Sequence, residues 1–251
     1  DASRSPEWNA GAYLGGPLGH CAECHTPRNF GFALKHGEAL AGEVVQGWRA
    51  YNITSDPTHG IGKWSDEALT QYLRTGHTQG HASAAGPMGE AIEYSLQYLK
   101  PEDTAALVTW LRTVPAREGD DPIVVDPAPK TMAASSAVAP GADDATADAD
   151  GLRLFEGACA SCHQFNGAGQ QTAYASLAGT RGVNDPKGAN VTEAILEGVK
   201  MRIGENDVYM PAFGHAYSDT EVAALANYVI RHFGGKTGEV TPADVAKRRE
   251  N

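Results

Sequence analysis

Cys21-Ala22-Glu23-Cys24-His25 returns in the second half of the chain as Cys159-Ala160-Ser161-Cys162-His163, and these two stretches use all four cysteines. A bare Cys-x-x-Cys fits a redox dithiol or half of a zinc site, and two of them together would fit a single four-Cys zinc site. The histidine directly after each second cysteine decides between these. Cys-x-x-Cys-His is the attachment signature of c-type haem, whose vinyl groups form thioether links with the two thiols while the adjacent imidazole reaches the iron. The offset between the copies exceeds half the chain, so the repeat is that of a whole domain, not of a short solenoid unit.

Composition bears on the same question. The 251 residues carry a net charge of -11, and only 43 of them are Leu, Ile, Val or Phe. That pairing lies on the disordered side of the compositional line. Nine tyrosines, four tryptophans and several amphipathic stretches argue for folded domains instead. Two covalently held porphyrins would supply the missing core. No apolar run is long enough to predict a transmembrane helix, and the negative balance disfavours nucleic acid as a partner.

Pattern reading divides the chain into a first domain over 1–114, a linker over 115–150 and a second domain over 151–251. The linker is rich in Pro and Ala and carries a net charge of -6, so more than half of the negative charge sits in this one segment; such a segment predicts a solvated spacer. Both domains read as all-α. Ser218-Asp219-Thr220-Glu221 is a capping box ahead of Val222, Leu225, Ala226 and Val229. Pro101 suits a first helical turn ahead of Leu107, Trp110, Leu111 and Val114. Ser65 opens a helix carrying Leu69, Tyr72 and Leu73, with Gly76 as its stop. No segment predicts a strand.

An iron held by one histidine needs a sixth ligand or an open position. Methionine raises the potential and suits electron transfer. Met88, downstream of His25, and Met210, downstream of His163, are expected in Gly/Pro-rich loops ahead of the last helix of each domain. Met88 is the expected partner of His25, with His77 and His81 as rivals, and Met210 that of His163. Met132 falls in the linker, and Met201 reads as packing or surface.

These residues resemble the cytochrome c subunit of membrane-bound bacterial dehydrogenases that oxidise alcohols, aldehydes or sugar acids such as gluconate. The resemblance is carried by Gly19-His-Cys-Ala-Glu-Cys-His-Thr-Pro-Arg28, Asn52-Ile-Thr-Ser-Asp-Pro57, Gly60-Ile-Gly-Lys-Trp-Ser-Asp-Glu67, Gly86-Pro-Met88, Phe155–His163, Met210-Pro-Ala-Phe-Gly214 and Val240–Val245. It implies two tandem class I cytochrome c-like domains, counterparts of the second and third haem domains of a usually three-haem family. It also implies a periplasmic location; no signal peptide is read at Asp1, as a mature secreted chain has lost it. Cys21, Cys24, Cys159 and Cys162 would then hold two haems c, with His25, Met88, His163 and Met210 on the irons and Arg28 and Trp64 beside haem propionates. The partners implied are a catalytic dehydrogenase subunit and an acceptor, either quinone, a terminal oxidase or a soluble cytochrome. Peripheral association with a membrane is allowed for, through Lys247-Arg248-Arg249 or through partners. With both irons six-coordinate, the chain is expected to catalyse nothing alone. Two other readings are a two-haem peroxidase, with His77 or His81 on one iron and the other iron open, and a free-standing two-haem carrier.

Overall fold

In the computed structural model of the chain, residues 1–119, 142–170 and 172–250 are described, residues 142–147 as backbone alone. The chain divides into two compact units, one of Asp1–Gly76 with Glu90–Ile123, the other of His77–Gly89 with Val124–Asn251. Both are helix-rich.

In the first unit, α1 (Pro6–Tyr13) starts where the Ser5 hydroxyl accepts from Trp8 N, with Pro6 at the first helical position, where its missing N–H costs nothing. A π-helical turn, Leu14–Leu18, leads on to α2 (Cys21–His25), which holds the first motif. The strands β1 (Glu43–Val45) and β2 (Trp48–Ala50) pair antiparallel. α3 (Asp66–Thr75) has Ser65 as its N-cap and ends on Gly76 at φ +74°, the left-handed conformation that glycine adopts without a Cβ penalty. The division between units falls inside α4 (Gly86–Tyr94). α5 (Pro101–Leu111) packs on α3 through a small core of Ile61, Leu69, Leu73, Leu107, Val108 and Leu111. Arg112 ties the two together, with Nε on Asp66 at 2.7 Å and Nη1 on the Ile61 carbonyl at 3.1 Å.

The second unit opens with a short hairpin of β3 (His77–Thr78) and β4 (Ala82–Ser83). α6 (Ala142–Leu154) runs through a π-helical turn, Phe155–Cys159, into α7 (Ala160–His163), which ends on the second motif's histidine. α8 (Ala189–Glu197) is followed by the antiparallel strands β5 (Val199–Ile203) and β6 (Asn206–Met210). α9 (Asp219–Val229) begins on the Ser218–Glu221 capping box read from the sequence, and α10 (Pro242–Arg248) on a second box, Thr241–Asp244. Phe155, Val222, Leu225, Ala226, Ile230 and Phe233 are at the centre of the core.

The two repeats share one packing device. Gly11 on α1 lies so close to α5 that a Cβ there would run into the Ala106 carbonyl; Gly151 on α6 lies likewise against α9, where a Cβ would come within 2.5 Å of the Tyr228 Cβ and 2.6 Å of the Ala224 carbonyl oxygen. The first and last long helices of each repeat therefore cross where one of them has no side chain. Gly151→Val is expected to destabilise the second unit by about 3 kcal/mol, since an overpacked helix crossing must move backbone to relax. Chemical denaturation followed by far-UV circular dichroism measures the loss, and an unchanged midpoint would refute the crossing.

Three expectations need correction. Strands exist, six among the described residues, in three antiparallel pairs. They are two to five residues long, too short for period-2 alternation to stand out. Met201 is on β5 and 1% exposed, facing inward between the outward Lys200 and Arg202. Of the spacer expected over 115–150, residues 120–141, including Met132, lie outside the described residues. From Ala142 the chain is already helical, and at the other end Asn52 Nδ2 donates to the Arg117 carbonyl at 2.8 Å. Finally, His77–Gly89, expected in the first domain, belongs to the second compact unit. The reason is local bonding: Arg181 N donates to the His81 carbonyl at 2.7 Å and Gln79 Nε2 to Ser176 Oγ at 3.2 Å.

Candidate metal centres

The first motif lies wholly on α2, and the second runs from Cys159, the last residue of the π-helical turn, through α7, so that in each case both thiols and the following imidazole are on one continuous stretch of helical backbone. Burial pushes the Cys21 and Cys159 thiols up to about 11. The decisive geometry is at the histidines. His25 Nδ1 is 2.6 Å from the Tyr51 carbonyl oxygen, and His163 Nδ1 is 2.7 Å from that of Ala175. A carbonyl can only accept, so each Nδ1 carries the proton and each Nε2 keeps its lone pair for a metal. A hydrogen bond of this kind fixes the ring's orientation and tautomer and raises the basicity of the ligating nitrogen. Burial also pulls the His163 imidazole below its ordinary range, against the opposing effect of the Ala175 bond, which favours the neutral ligand form.

Short loops hold both acceptors. Tyr51 follows β2 directly, and the His25 carbonyl accepts from Gly42 N at 2.7 Å. Ala175 closes a 3-10 turn, Ala173–Ala175, whose N-cap is Thr172, and Gly169 N donates to the His163 carbonyl at 3.1 Å. The cysteines and histidines therefore fit haem c in both motifs. Among the described residues no three His, Cys, Asp or Glu side chains converge as a metal-holding group.

Met210 ends β6, half-buried, with Gly198 closely packed against the backbone of Met210–Ala212. Met88 is in the first turn of α4, also half-buried, and falls in the second compact unit, whereas His25 falls in the first. His77, the rival ligand, is 4% exposed, with Nδ1 2.8 Å from Ser83 Oγ and its ring 5.2 Å from that of Tyr174; burial lowers its pKa. His81 is in the turn of the same hairpin, which Gly76 and Gly80, both at positive φ, keep from being helical. Arg28 spends two of its guanidinium nitrogens on Glu23 and the Phe32 carbonyl, and Trp64 stands edge-on to Tyr72 at 5.7 Å. In the tail, Arg248 pairs with Glu193 at 2.9 Å and Arg249 with Asp219 at 2.6 Å, so both arginines for which a lipid contact was allowed are engaged within their own unit. Sequence reading missed Tyr51 and Ala175, because a backbone carbonyl leaves no mark in a residue's identity.

Residues 146–229 match the family described as cytochrome C oxidase, cbb3-type, subunit III. The chain is 41% identical over 259 residues to the fructose dehydrogenase cytochrome subunit of Gluconobacter japonicus, covering 99% of this chain and 53% of that one. It is 30% identical to the gluconate 2-dehydrogenase cytochrome c subunit of Pantoea cypripedii, with 100% of this chain and 58% of the relative covered. It is also 30% identical to the cytochrome c subunit of the quinone-dependent alcohol dehydrogenase of Gluconacetobacter polyoxogenes, with 98% and 53% covered. The chain is a c-type cytochrome. As such, the cytochrome carries covalently bound haem c. It spans about half the length of these relatives. Among the described residues no helix of the cytochrome is long and apolar enough to cross a membrane.

Proposed function

We propose that this cytochrome is the electron-transfer subunit of a periplasmic dehydrogenase complex, taking electrons from a catalytic subunit and passing them to quinone, a terminal oxidase or a soluble carrier. The observation that carries the proposal is the twofold occurrence of one arrangement, a Cys-x-x-Cys-His turn whose histidine is locked to a backbone carbonyl through Nδ1. It is supported by relatives whose names are cytochrome subunits of fructose, gluconate and alcohol dehydrogenases, and by a diheme c-type cytochrome of Cereibacter sphaeroides, 37% identical over 116 residues.

In this reading Cys21 and Cys24 anchor one haem and Cys159 and Cys162 the other. His25 and Met88 ligate the first iron, His163 and Met210 the second. The remaining donors of Arg28, and the Trp64 indole, would serve the propionates of the first haem. The haems supply one-electron chemistry; the chain's own residues hold the rings, fix the histidine tautomers and keep water off the metal faces. With His and Met so placed, neither iron would keep a position for substrate, and oxidation of the substrate would belong to the partner. The peroxidase reading draws no support from the relatives.

Purification under mild detergent is expected to yield the cytochrome with a large dehydrogenase chain, and the pyridine haemochrome spectrum to count two c-type haems. Both haems should become reduced when fructose, gluconate or ethanol, whichever the partner oxidises, is added. A haem count other than two, or turnover of hydrogen peroxide with a reduced donor, would sink the proposal.

A further inference from the structure

The β3–β4 hairpin grips the loop that orients His163. Gln79, exposed at the hairpin's tip, donates through Nε2 to Ser176 Oγ at 3.2 Å. Ser176 is 2% exposed, and its hydroxyl donates onward to the Gly167 carbonyl at 3.4 Å. Arg181 N donates to the His81 carbonyl at 2.7 Å, and the His77 ring stands 5.2 Å from that of Tyr174. These contacts fall on Tyr174, Ser176 and Arg181, and all lie within the second compact unit. Between the first two is Ala175, whose carbonyl accepts from His163 Nδ1.

We propose that the hairpin His77–Ser83 is a positioning clamp for His163, with Gln79 as its side-chain contact, so that a segment remote in sequence sets the ligand strength at the second iron. The inference rests on the reading of His163 as an axial ligand. The turn around Ala175 is closed locally by Tyr174 N on Thr172 Oγ1 at 3.4 Å, Ala175 N on the Thr172 carbonyl at 3.2 Å and Ser176 N on the Ala173 carbonyl at 3.1 Å, with Leu177 N on the Gly167 carbonyl at 2.8 Å; the hairpin adds to these a contact from outside the segment, on the Ser176 hydroxyl. Ser176 is the next residue along, so fixing its hydroxyl fixes the direction of the Ala175 carbonyl. A well-aligned Nδ1–H···O=C bond makes the imidazole more basic, which favours the ferric state and lowers the potential. A slack clamp has the opposite effect.

The test uses the full haem-loaded chain with Gln79→Ala, Ser176→Ala and the pair together. Gln79 is exposed, so its replacement leaves the core untouched. Optical redox titration is expected to show the second haem's potential rising in each single variant and no further in the double variant, as for two residues acting through one contact. The first haem should stay in place. The second haem's wave is the one displaced by Met210→Ala, and the His163 Nδ1–H proton resonance should move with it. An unchanged second potential in a chain still holding two haems would overturn the clamp alone. An equal shift of both haems, marking general loosening, would do the same. A parent chain with no haem on Cys159 and Cys162 would overturn the underlying reading as well.

Discussion

Made without haem, the cytochrome is expected to show no cooperative thermal transition by circular dichroism, whereas the haem-loaded chain unfolds cooperatively. Only 43 of the 251 residues are Leu, Ile, Val or Phe. Among the described residues of the first unit the clustered core comes to six fully buried side chains, from Ile61 to Leu111, with six more hydrophobic ones, among them Leu14 and Trp110, only partly buried against it. Burial of apolar surface is the main favourable term in folding, and it must offset the conformational entropy of every residue that becomes ordered. Six aliphatic side chains are few for a unit of this length. A porphyrin fixed by two thioethers adds a large apolar surface that α2, the long loop to α3 and α5 can close upon. The second unit has the larger core, so any residual helical signal should come from there. A sharp apo transition matching that of the loaded chain would show that the side chains suffice.

Met210→Ala should lower one of the two reduction potentials by a sizeable part of the roughly 0.8 V that axial ligation spans in haem proteins. A thioether is a weak donor that favours the ferrous state, and its loss leaves water or a stray nitrogen base to take the position. The sulfur-to-ferric-iron charge-transfer band should fall by about half in a chain with two such bonds. Potentiometry and absorbance read both effects in one sample. β6 ends on Met210 and is held in register by five pairs with β5, so alanine removes the sulfur without freeing the strand. An unchanged band with both potentials unmoved would exclude Met210 as a ligand.

Much of this was legible in the sequence because it is local chemistry. The two Cys-x-x-Cys-His turns, the Ser218–Glu221 capping box, Ser65 and Gly76 bracketing α3, and Pro101 opening α5 each depend on a few adjacent residues. What escaped depends on pairs far apart in the chain. Lys200-Met201-Arg202 reads as the tail of a helix until Gly198, at φ +72°, ends α8 and the partner strand arrives. Gly11 and Gly151 did carry a signal, a glycine within a helical pattern, but only the facing helix shows why it is there. The carbonyls of Tyr51 and Ala175 carried none.

The hairpin segment His77–Gly89 has a consequence for how such a chain can be recombined. By sequence it belongs to the repeat with the first motif; by packing it belongs to the unit with the second. A chimaera joined between the repeats would separate Gln79 and the His81 carbonyl from the Ser176 and Arg181 they bind in this chain. The two repeats are therefore not interchangeable cassettes, and substitutions in the hairpin and in residues 174–181 should be inherited together.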